Sequence, residues 1–247
     1  MGEIIAVLSG KGGTGKTSVC AGIATALARE GKSVLCIDCD VGLRNLDISL
    51  GLDHTAPLSF VDVYMGNATL ETLLPHPVFP SLRFLTAPAN RTIEQIDSDA
   101  FFDLVLKARR IFDYVFLDAP AGVDAGFRLA AAKADRILVV TGSDPASIRD
   151  AGRTGQILEL MGKTQARLIV NRVAPKLIAR MVMTIDDVMD DAGLPLLGIV
   201  PDDTNVVLAA AFGKPLITYS KKGAAAAVKR IASRLDGLRV PIPTKKV

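Results

Sequence analysis

The sequence lacks any apolar run long enough to cross a membrane, although 49% of its 247 residues are hydrophobic. A membrane-spanning helix needs roughly 18 or more consecutive apolar residues. Glu3 stands where a secretory leader would carry basic side chains, and Ala6 stands where N-myristoylation would need Ser or Thr. We therefore expect a cytoplasmic protein, with at most a peripheral position at the inner face of the cell membrane.

Cysteine and histidine are scarce, which disfavours a disulfide framework and a thiol or imidazole metal site. Three cysteines, an odd number, predict free thiols in a cytoplasmic chain. Cys36 and Cys39 form a C-x-x-C, but an offset of three residues along a strand places them on opposite faces. Packed thiols are therefore favoured over a metal or redox pair. His54 and His76 lie in loop-like sequence and are expected at the solvated surface.

Short apolar segments alternate along the chain with helical patterns. Strand patterns occur near residues 4, 34, 82, 114, 136, 167 and 196, and helical patterns near residues 16, 98, 124, 147, 183, 204 and 222. This order predicts an α/β fold with three layers, a mostly parallel sheet covered by helices on both faces. We expect a single domain over residues 1–238 and a short basic, proline-containing tail over 239–247. Residues 53–81 have the least regular pattern and predict a loop-rich, partner-facing segment.

An eight-residue segment between the first strand and the first helix carries the clearest chemical signal. Residues 10–17 read Gly-Lys-Gly-Gly-Thr-Gly-Lys-Thr and fit the pattern G-x-x-x-x-G-K-[ST]. Glycines let backbone N–H groups fold around an anion, and the helix start adds a positive dipole end. Lys16 would face the β and γ phosphates, and Thr17 would ligate Mg²⁺. The motif predicts a P-loop NTPase fold with these phosphate-binding residues: Gly10, Lys11, Gly12, Gly13, Thr14, Gly15, Lys16, Thr17 and Ser18.

Carboxylates follow two further strands at the sheet edge where this site would lie. Asp38 and Asp40 follow the second strand pattern, and Asp118 ends the fourth before a Pro-Gly turn. Asp40 is the candidate that orients the hydrolytic water, whereas Asp38 and Asp118 are candidates on the metal side. A helix cap or a turn aspartate is the alternative reading of such residues. Pro120 and Gly122 in the turn are candidate switch residues that sense the γ-phosphate.

Two features of these motifs resemble the deviant Walker A ATPases of the MinD/ParA family. Lys11 follows the first glycine of the loop, a position where an ordinary phosphate loop does not need lysine. The run 38–47, Asp-Cys-Asp-Val-Gly-Leu-Arg-Asn-Leu-Asp, is similar to switch I of the MinD branch, whereas plasmid ParA proteins usually have Asp-x-Asp-Pro-Gln there. The resemblance marks Gly42, Asn45 and Asp47 as switch residues, and it extends with weaker matches to about residue 238.

The resemblance implies a switch protein that binds ATP with Mg²⁺, forms a homodimer in the ATP state and is reset by hydrolysis. Lys11 would reach across the dimer to the nucleotide of the other subunit and would act in catalysis with Lys16 and Asp40. A solvated surface lysine is the alternative for Lys11. The resemblance also places the base at two later strand ends, near Asn171, Arg172, Pro201 and Asp203. For Asn171 and Asp203, a turn residue and a helix cap are the alternatives.

The C-terminal segment departs from the resemblance. Members of the MinD branch typically end in a short amphipathic membrane helix, but Pro241 and Pro243 forbid a helix in the segment Arg239–Val247. From residue 221 onward the chain nevertheless holds eight lysines and arginines against one aspartate, although its total charge is only +3. We therefore expect weak electrostatic contact with an anionic membrane or with DNA.

The favoured function is that of a MinD-type ATPase that positions the division site together with a division inhibitor or activator protein. A ParA-like ATPase that positions DNA or cargo is the alternative. The basic C-terminal segment favours it, and the 38–47 sequence opposes it. A nucleotide-dependent metal-insertion protein is disfavoured, because it would need loop cysteines that bridge a dimer. All three cysteines fall in helix or strand patterns.

Overall fold

A single parallel sheet runs through the centre of the computed structural model, which describes residues 1–52, 57–174 and 185–242. Its strands are β1 Glu3–Leu8, β2 Val34–Asp38, β3 Leu82–Leu85, β4 Tyr114–Asp118, β5 Arg136–Thr141, β6 Ala166–Val173 and β7 Leu196–Pro201. Their spatial order is β3-β2-β4-β1-β5-β6-β7, and each adjacent pair is parallel. The predicted α/β architecture is therefore confirmed.

Helices cover both faces of the sheet. They are α1 Lys16–Arg29, α2 Leu46–Leu50, α3 Phe60–Tyr64, α4 Ser98–Ile111, α5 Ala125–Ala132, α6 Pro145–Leu160, α7 Ile185–Ala192, α8 Asn205–Ala211, α9 Leu216–Tyr219 and α10 Gly223–Leu235. One core layer holds α1, α9 and α10, and the opposite layer holds α4, α5 and α6. Along β1, Ile5 and Val7 face the first layer, whereas Ile4 and Leu8 face the second. Burial on both faces explains why the strands read as continuous apolar runs.

The strands that follow β1 in the sequence lie first on one side of it and then on the other. This reversal determines the edge of the sheet at which a ligand is expected to bind. From β1 the chain moves to β2 and β3 on one side of the sheet, whereas β5, β6 and β7 follow on the other side. In open parallel sheets, ligands bind outside the carboxyl ends of the strands at such a reversal. The phosphate loop follows β1, and Asp38, Asp118 and Asn171 lie at or near the ends of β2, β4 and β6, so they share this edge.

The expectation that His76 is a solvated surface residue is wrong. The side chain is buried, with Nε2 2.8 Å from the Leu50 carbonyl oxygen, and Nδ1 accepts from the amides of Val78 and Phe79 at 3.1 and 3.2 Å. Burial lowers the pKa of His76, which favours the neutral ring. The reason is local, because the amides of this loop need an internal acceptor, and the imidazole supplies it. His54 lies outside the described residues.

The predictions about cysteine are confirmed. All three thiols are free and buried. Cys36 belongs to the core layer of α1, and Cys39 belongs to the layer of α4, so the two side chains lie on opposite faces of the sheet. Burial raises the pKa of each thiol. These residues are therefore packing residues.

The segment predicted to be loop-rich, 53–81, contains short helical elements in its described part. α3 begins at a capping box, in which Ser59 Oγ accepts from the Asp62 amide and the Asp62 carboxylate accepts from the Ser59 amide. A single 3₁₀ turn follows at Leu70–Thr72, and no further helix or strand precedes β3. The expected role of this segment toward a partner stays a prediction.

The C-terminal helix ends three residues before the domain boundary that the sequence predicts at residue 238. α10 ends at Leu235, and Gly237 adopts a φ of 89°, which leaves the helical path. Arg234 then holds the following segment, because its guanidinium donates to the carbonyls of Val240 at 2.7 Å and Pro241 at 2.8 Å. The last five residues lie outside the described ranges. Within those ranges, no helix is both long and apolar enough to cross a bilayer.

Candidate nucleotide-binding site

The phosphate loop joins the end of β1 to the start of α1. Gly13 and Gly15 have φ values of 81° and 82°, which L side chains rarely adopt. A Cβ at Gly15 would also collide with the Asn171 amide. Thr14 Oγ1 is buried in this loop and has no hydrogen-bond partner. Because an unpaired buried hydroxyl costs about 1–3 kcal/mol, the loop is built for an acceptor such as a phosphate oxygen.

Lys16 lies in the first turn of α1 and is almost completely buried. Its Nζ is 2.5 Å from Oδ1 of Asp118 at the end of β4 and 3.3 Å from Oγ1 of Thr17. Burial raises the pKa of Asp118, and the charge of Lys16 acts in the opposite direction. The structure thus brings together three residues that the sequence assigned to the phosphates and the metal.

Asp38 sits next to Asp118, and the two residues are paired in the β2–β4 register. Its carboxylate is buried, and burial, followed by the charge of Asp118, raises the pKa of Asp38 to about 7. One oxygen accepts from the Asp40 amide at 2.9 Å and the other from the Leu46 amide at 3.1 Å. Asp38 therefore ties down both ends of the loop between β2 and α2. Its assignment to the metal stays a prediction.

The loop from Asp40 to Asn45 carries the predicted switch I residues. Asp40 Oδ1 accepts from the amides of Gly42 and Leu43 at 3.2 and 3.1 Å, so its side chain organises its own loop. Asn45 precedes α2 without a side-chain cap, and Asp47 Oδ1 accepts from the Ile48 amide at 2.8 Å. Asp40 Oδ1 thus has the geometry of a turn aspartate, and its role toward water stays a prediction.

The loop after β4 carries the second predicted switch. Gly122 adopts a φ of 93°, and its amide donates to the Ser9 carbonyl at 3.0 Å, directly before the phosphate loop. Pro120 packs so closely on Gly126 that a Cβ there would clash. This loop is therefore attached at one end to the phosphate loop and at the other to α5.

A cavity of about 340 Å³ opens beside the phosphate loop, between the ends of β6 and β7. All four predicted base-binding residues line it, together with Gly15 and Ser18: Asn171, Arg172, Pro201 and Asp203. A register shift between β6 and β7 occurs at Val170–Val173, and Arg172 has a φ of 55° there. The bulge lets Asn171 turn toward the loop, where its amide nitrogen donates to the Thr14 carbonyl at 2.7 Å.

Several residues of this cavity were not predicted. Its apolar wall comes mainly from α8, α9 and α10, and includes Val206, Val207, Leu216 and Val228. Their only sequence signal is apolar helix periodicity, which does not separate a ligand pocket from a core. The Asp203 carboxylate accepts from the amides of Asn205 and Ala224 at 2.9 Å each. Asp203 therefore fits its alternative reading as a residue that caps helices.

Lys11 stands at the mouth of the site and does not point into the cavity. Its side chain is 46% exposed, and Nζ lies 3.8 Å from Oδ1 of Asp144, a residue that the sequence did not single out. Arg172 also contacts the phosphate loop, because its guanidinium donates to the Gly13 carbonyl at 3.2 Å. The half-exposed Lys11 side chain has room to reorient once this ion pair breaks, as a contact with a second subunit would require.

Comparisons with known proteins agree with this geometry. The sequence model of the family described as the CobQ/CobB/MinD/ParA nucleotide binding domain matches residues 5–216. The septum site-determining protein MinD of Synechocystis is 38% identical over 244 residues, which cover 98% of this chain and 92% of that protein. The MinC:MinD cell division protein complex of Aquifex aeolicus superposes with a TM-score of 0.89 at 36% identity, covering 97% of this chain and 98% of that one. A MinD complexed with Mg-ADP from Pyrococcus horikoshii gives 0.76 at 25% identity, with 96% of each chain covered.

Proposed function

The chain belongs to the CobQ/CobB/MinD/ParA nucleotide-binding family, in its MinD branch, and from that premise we propose that it is an ATP-hydrolysing switch that dimerises with ATP. Its function is septum-site determination of the MinD type, and its nucleotide and cation are ATP and Mg²⁺. The observation that carries the proposal is the contact at the end of the phosphate loop, where Lys16 Nζ lies within hydrogen-bonding distance of both Thr17 and Asp118.

The residues of the site suit a triphosphate with a divalent cation. The loop offers glycine amides, an unpaired hydroxyl on Thr14 and the cation of Lys16 to phosphate oxygens. Thr17 and Asp118 would hold Mg²⁺, with Asp38 behind them. The bound cation would neutralise charge that develops between the β and γ phosphates. Every other contribution comes from the chain's own backbone amides and side chains.

Hydrolysis would depend on positioning more than on covalent chemistry. Lys16 would hold the phosphates in line, and Asp40 would place a water for attack. The Asp40 carboxylate accepts from the amides of Gly42 and Leu43, so a shift of this loop carries that carboxylate with it. The Gly122 amide, which now donates to the Ser9 carbonyl, would report the γ-phosphate to the second loop. Lys11 would complete the site from the second subunit.

A division inhibitor is the proposed partner, because the Aquifex aeolicus relative is a MinC:MinD complex. We place the protein in the cytoplasm, with peripheral contact at the inner face of the membrane. The ParA-like alternative is less supported. Its main sequence argument was the basic C-terminal segment, whose last two lysines lie outside the described residues.

Light scattering with nucleotide tests the proposal. The wild-type chain should be a monomer with Mg-ADP and a dimer with a non-hydrolysable Mg-ATP analogue. Lys11→Ala should bind the analogue as a monomer, whereas Lys107→Ala, an exposed lysine on α4, should dimerise like the wild type. A Lys11→Ala chain that dimerises normally would make Lys11 an ordinary surface residue. A wild-type chain that stays monomeric with the analogue would contradict the switch.

A further inference from the structure

Lys11 has a partner within its own subunit. Its Nζ lies 3.8 Å from Oδ1 of Asp144, and the two side chains are 46% and 54% exposed. The contact joins the phosphate loop to the start of α6. Because both groups are half-exposed, it is a weak and breakable ion pair.

The carboxylate of Asp144 is held in place by the start of α6. Asp144 is the N-cap of this helix, where Oδ1 accepts from the Ser147 amide at 3.0 Å and Oδ2 accepts from Ser147 Oγ at 2.5 Å. These hydrogen bonds hold the pKa of Asp144 below its usual value, so the group is charged at neutral pH.

The helix, in turn, packs directly on the phosphate loop. A Cβ at Gly10 would lie 2.6 Å from the Asp150 carbonyl oxygen and 2.7 Å from Thr154 Oγ1. This close approach shows that α6 packs directly against the phosphate loop. The Ser147 bonds hold the carboxylate of Asp144 beside Lys11, so the half-exposed lysine side chain is the group that leaves when the pair breaks.

We propose that Asp144 holds Lys11 in the unassembled subunit and so opposes ATP-dependent dimerisation. The inference rests on the proposed function, in which Lys11 reaches the nucleotide of the other subunit. One ammonium group cannot remain with Asp144 and also cross the interface, so each subunit must break this pair to assemble. Asp144 is thus a positioning residue that raises the subunit concentration at which the ATP-bound dimer forms.

The expected size follows from the exposure of the pair. Exposed ion pairs contribute up to about fivefold to an equilibrium constant. Two such pairs break for each dimer that forms, so removing the charge of Asp144 should tighten the dimer by up to about 25-fold. The effect should shrink in high salt, because exposed charges are screened.

Asp144→Asn is the test variant, since asparagine also caps helices but carries no charge. Asp97→Asn is the matched control: Asp97 is likewise an N-cap, since its Oδ1 accepts from the amides of Asp99 and Ala100 at the start of α4 at 3.0 Å, but it does not touch Lys11. The dimer dissociation constant is measured by sedimentation equilibrium with Mg²⁺ and a non-hydrolysable ATP analogue. Asp144→Asn should lower it several-fold, and Asp97→Asn should leave it unchanged.

A double-mutant cycle makes the result specific to the pair. In a Lys11→Ala background, which we expect to be monomeric with the analogue, Asp144→Asn should not restore the dimer. If the wild-type chain dimerises but Asp144→Asn leaves the dissociation constant unchanged or raises it, this inference is overturned and the proposed function is not. A wild-type chain that never dimerises would contradict the proposed function and this inference with it.

Discussion

Replacing Lys16 by methionine should destabilise the fold as well as abolish ATP binding. The Lys16 and Asp118 side chains are only 7% and 1% exposed, and their charged atoms are 2.5 Å apart. Methionine keeps much of the volume of lysine but leaves the carboxylate buried without its cation. Breaking a buried pair in this way costs about 3–5 kcal/mol. We expect the lower end, because Thr17 also hydrogen-bonds Asp118.

The loss should vary with pH in one direction. Burial raises the pKa of Asp118, and Lys16 is the strongest influence that lowers it, so the pKa rises further in Lys16→Met. The folded variant then binds a proton more tightly than the unfolded chain does. Its destabilisation is absent below the unfolded pKa of about 3.9 and grows as the pH rises through the folded value. The wild type and Lys16→Met should therefore differ most at neutral pH.

Urea denaturation at several pH values, paired with calorimetric titration of Mg-ATP, separates the two roles of Lys16. The double variant Lys16→Met/Asp118→Asn should regain most of the lost stability, because residue 118 no longer carries a buried charge without its cation, and should still fail to bind ATP. Lys32→Met is the control, since its pair with Asp236 is partly exposed to solvent and should contribute much less than the buried pair. An unchanged urea midpoint for Lys16→Met at pH 7 would refute the argument about the buried pair. Tight ATP binding by the double variant would refute the assignment to the phosphates.

Three further changes test other parts of the molecule. Asp40→Ala should bind ATP and accumulate as a dimer while its turnover falls, by light scattering and phosphate release; wild-type turnover would contradict its role toward water. His76→Gln should destabilise the fold more above pH 6.5 than near pH 5, because the lowered pKa of His76 provides stability above the unfolded value of about 6.5 that is lost as the pH falls. A loss that is equal at both pH values in urea denaturation would argue against this. Cutting the chain after Ile242, which spares the carbonyls that Arg234 binds, should weaken salt-sensitive binding to anionic vesicles and leave ATP hydrolysis unchanged. Vesicle binding that persists in high salt would point instead to apolar insertion.

The parts of the site that could be predicted are those fixed by neighbouring residues or by sheet topology. Residues 10–17 are consecutive, so their spacing alone specifies the loop between β1 and α1. Asp118 and Asn171 are far apart in sequence, yet both stand at or near the ends of parallel strands. Once the alternation of strands and helices predicts a parallel sheet, those ends must meet at one edge.

What could not be predicted depends on contacts between distant segments. In the sequence, Asp144 stands between a strand pattern and a helical pattern, so it indicates only a helix cap. No neighbouring residue indicates that its carboxylate lies beside Lys11. The same ambiguity affects Asp203, whose carboxylate links the starts of α8 and α10. For His76 the expectation is wrong in another way. A polar residue among prolines is expected at the surface, but its ring is buried and supplies an internal hydrogen-bond acceptor. Aspartate and histidine serve caps, turns and sites alike, so only packing separates these uses.

The charge balance of the site explains why nucleotide and divalent cation belong together. Lys16 is the buried cation of this cluster, and it faces two buried carboxyl groups, Asp38 and Asp118. Burial raises the pKa of both acids, which means that the site already holds negative charge at an energetic cost. A triphosphate alone would add further negative charge to a desolvated pocket, whereas a divalent cation offsets it. Asp38 also anchors the amides of Asp40 and Leu46, so the ionisation state of this carboxyl and the position of switch I are coupled. The residues that hold the charge therefore also hold the loop from Asp40 to Asn45, and we expect this coupling to turn phosphate binding into a change of shape.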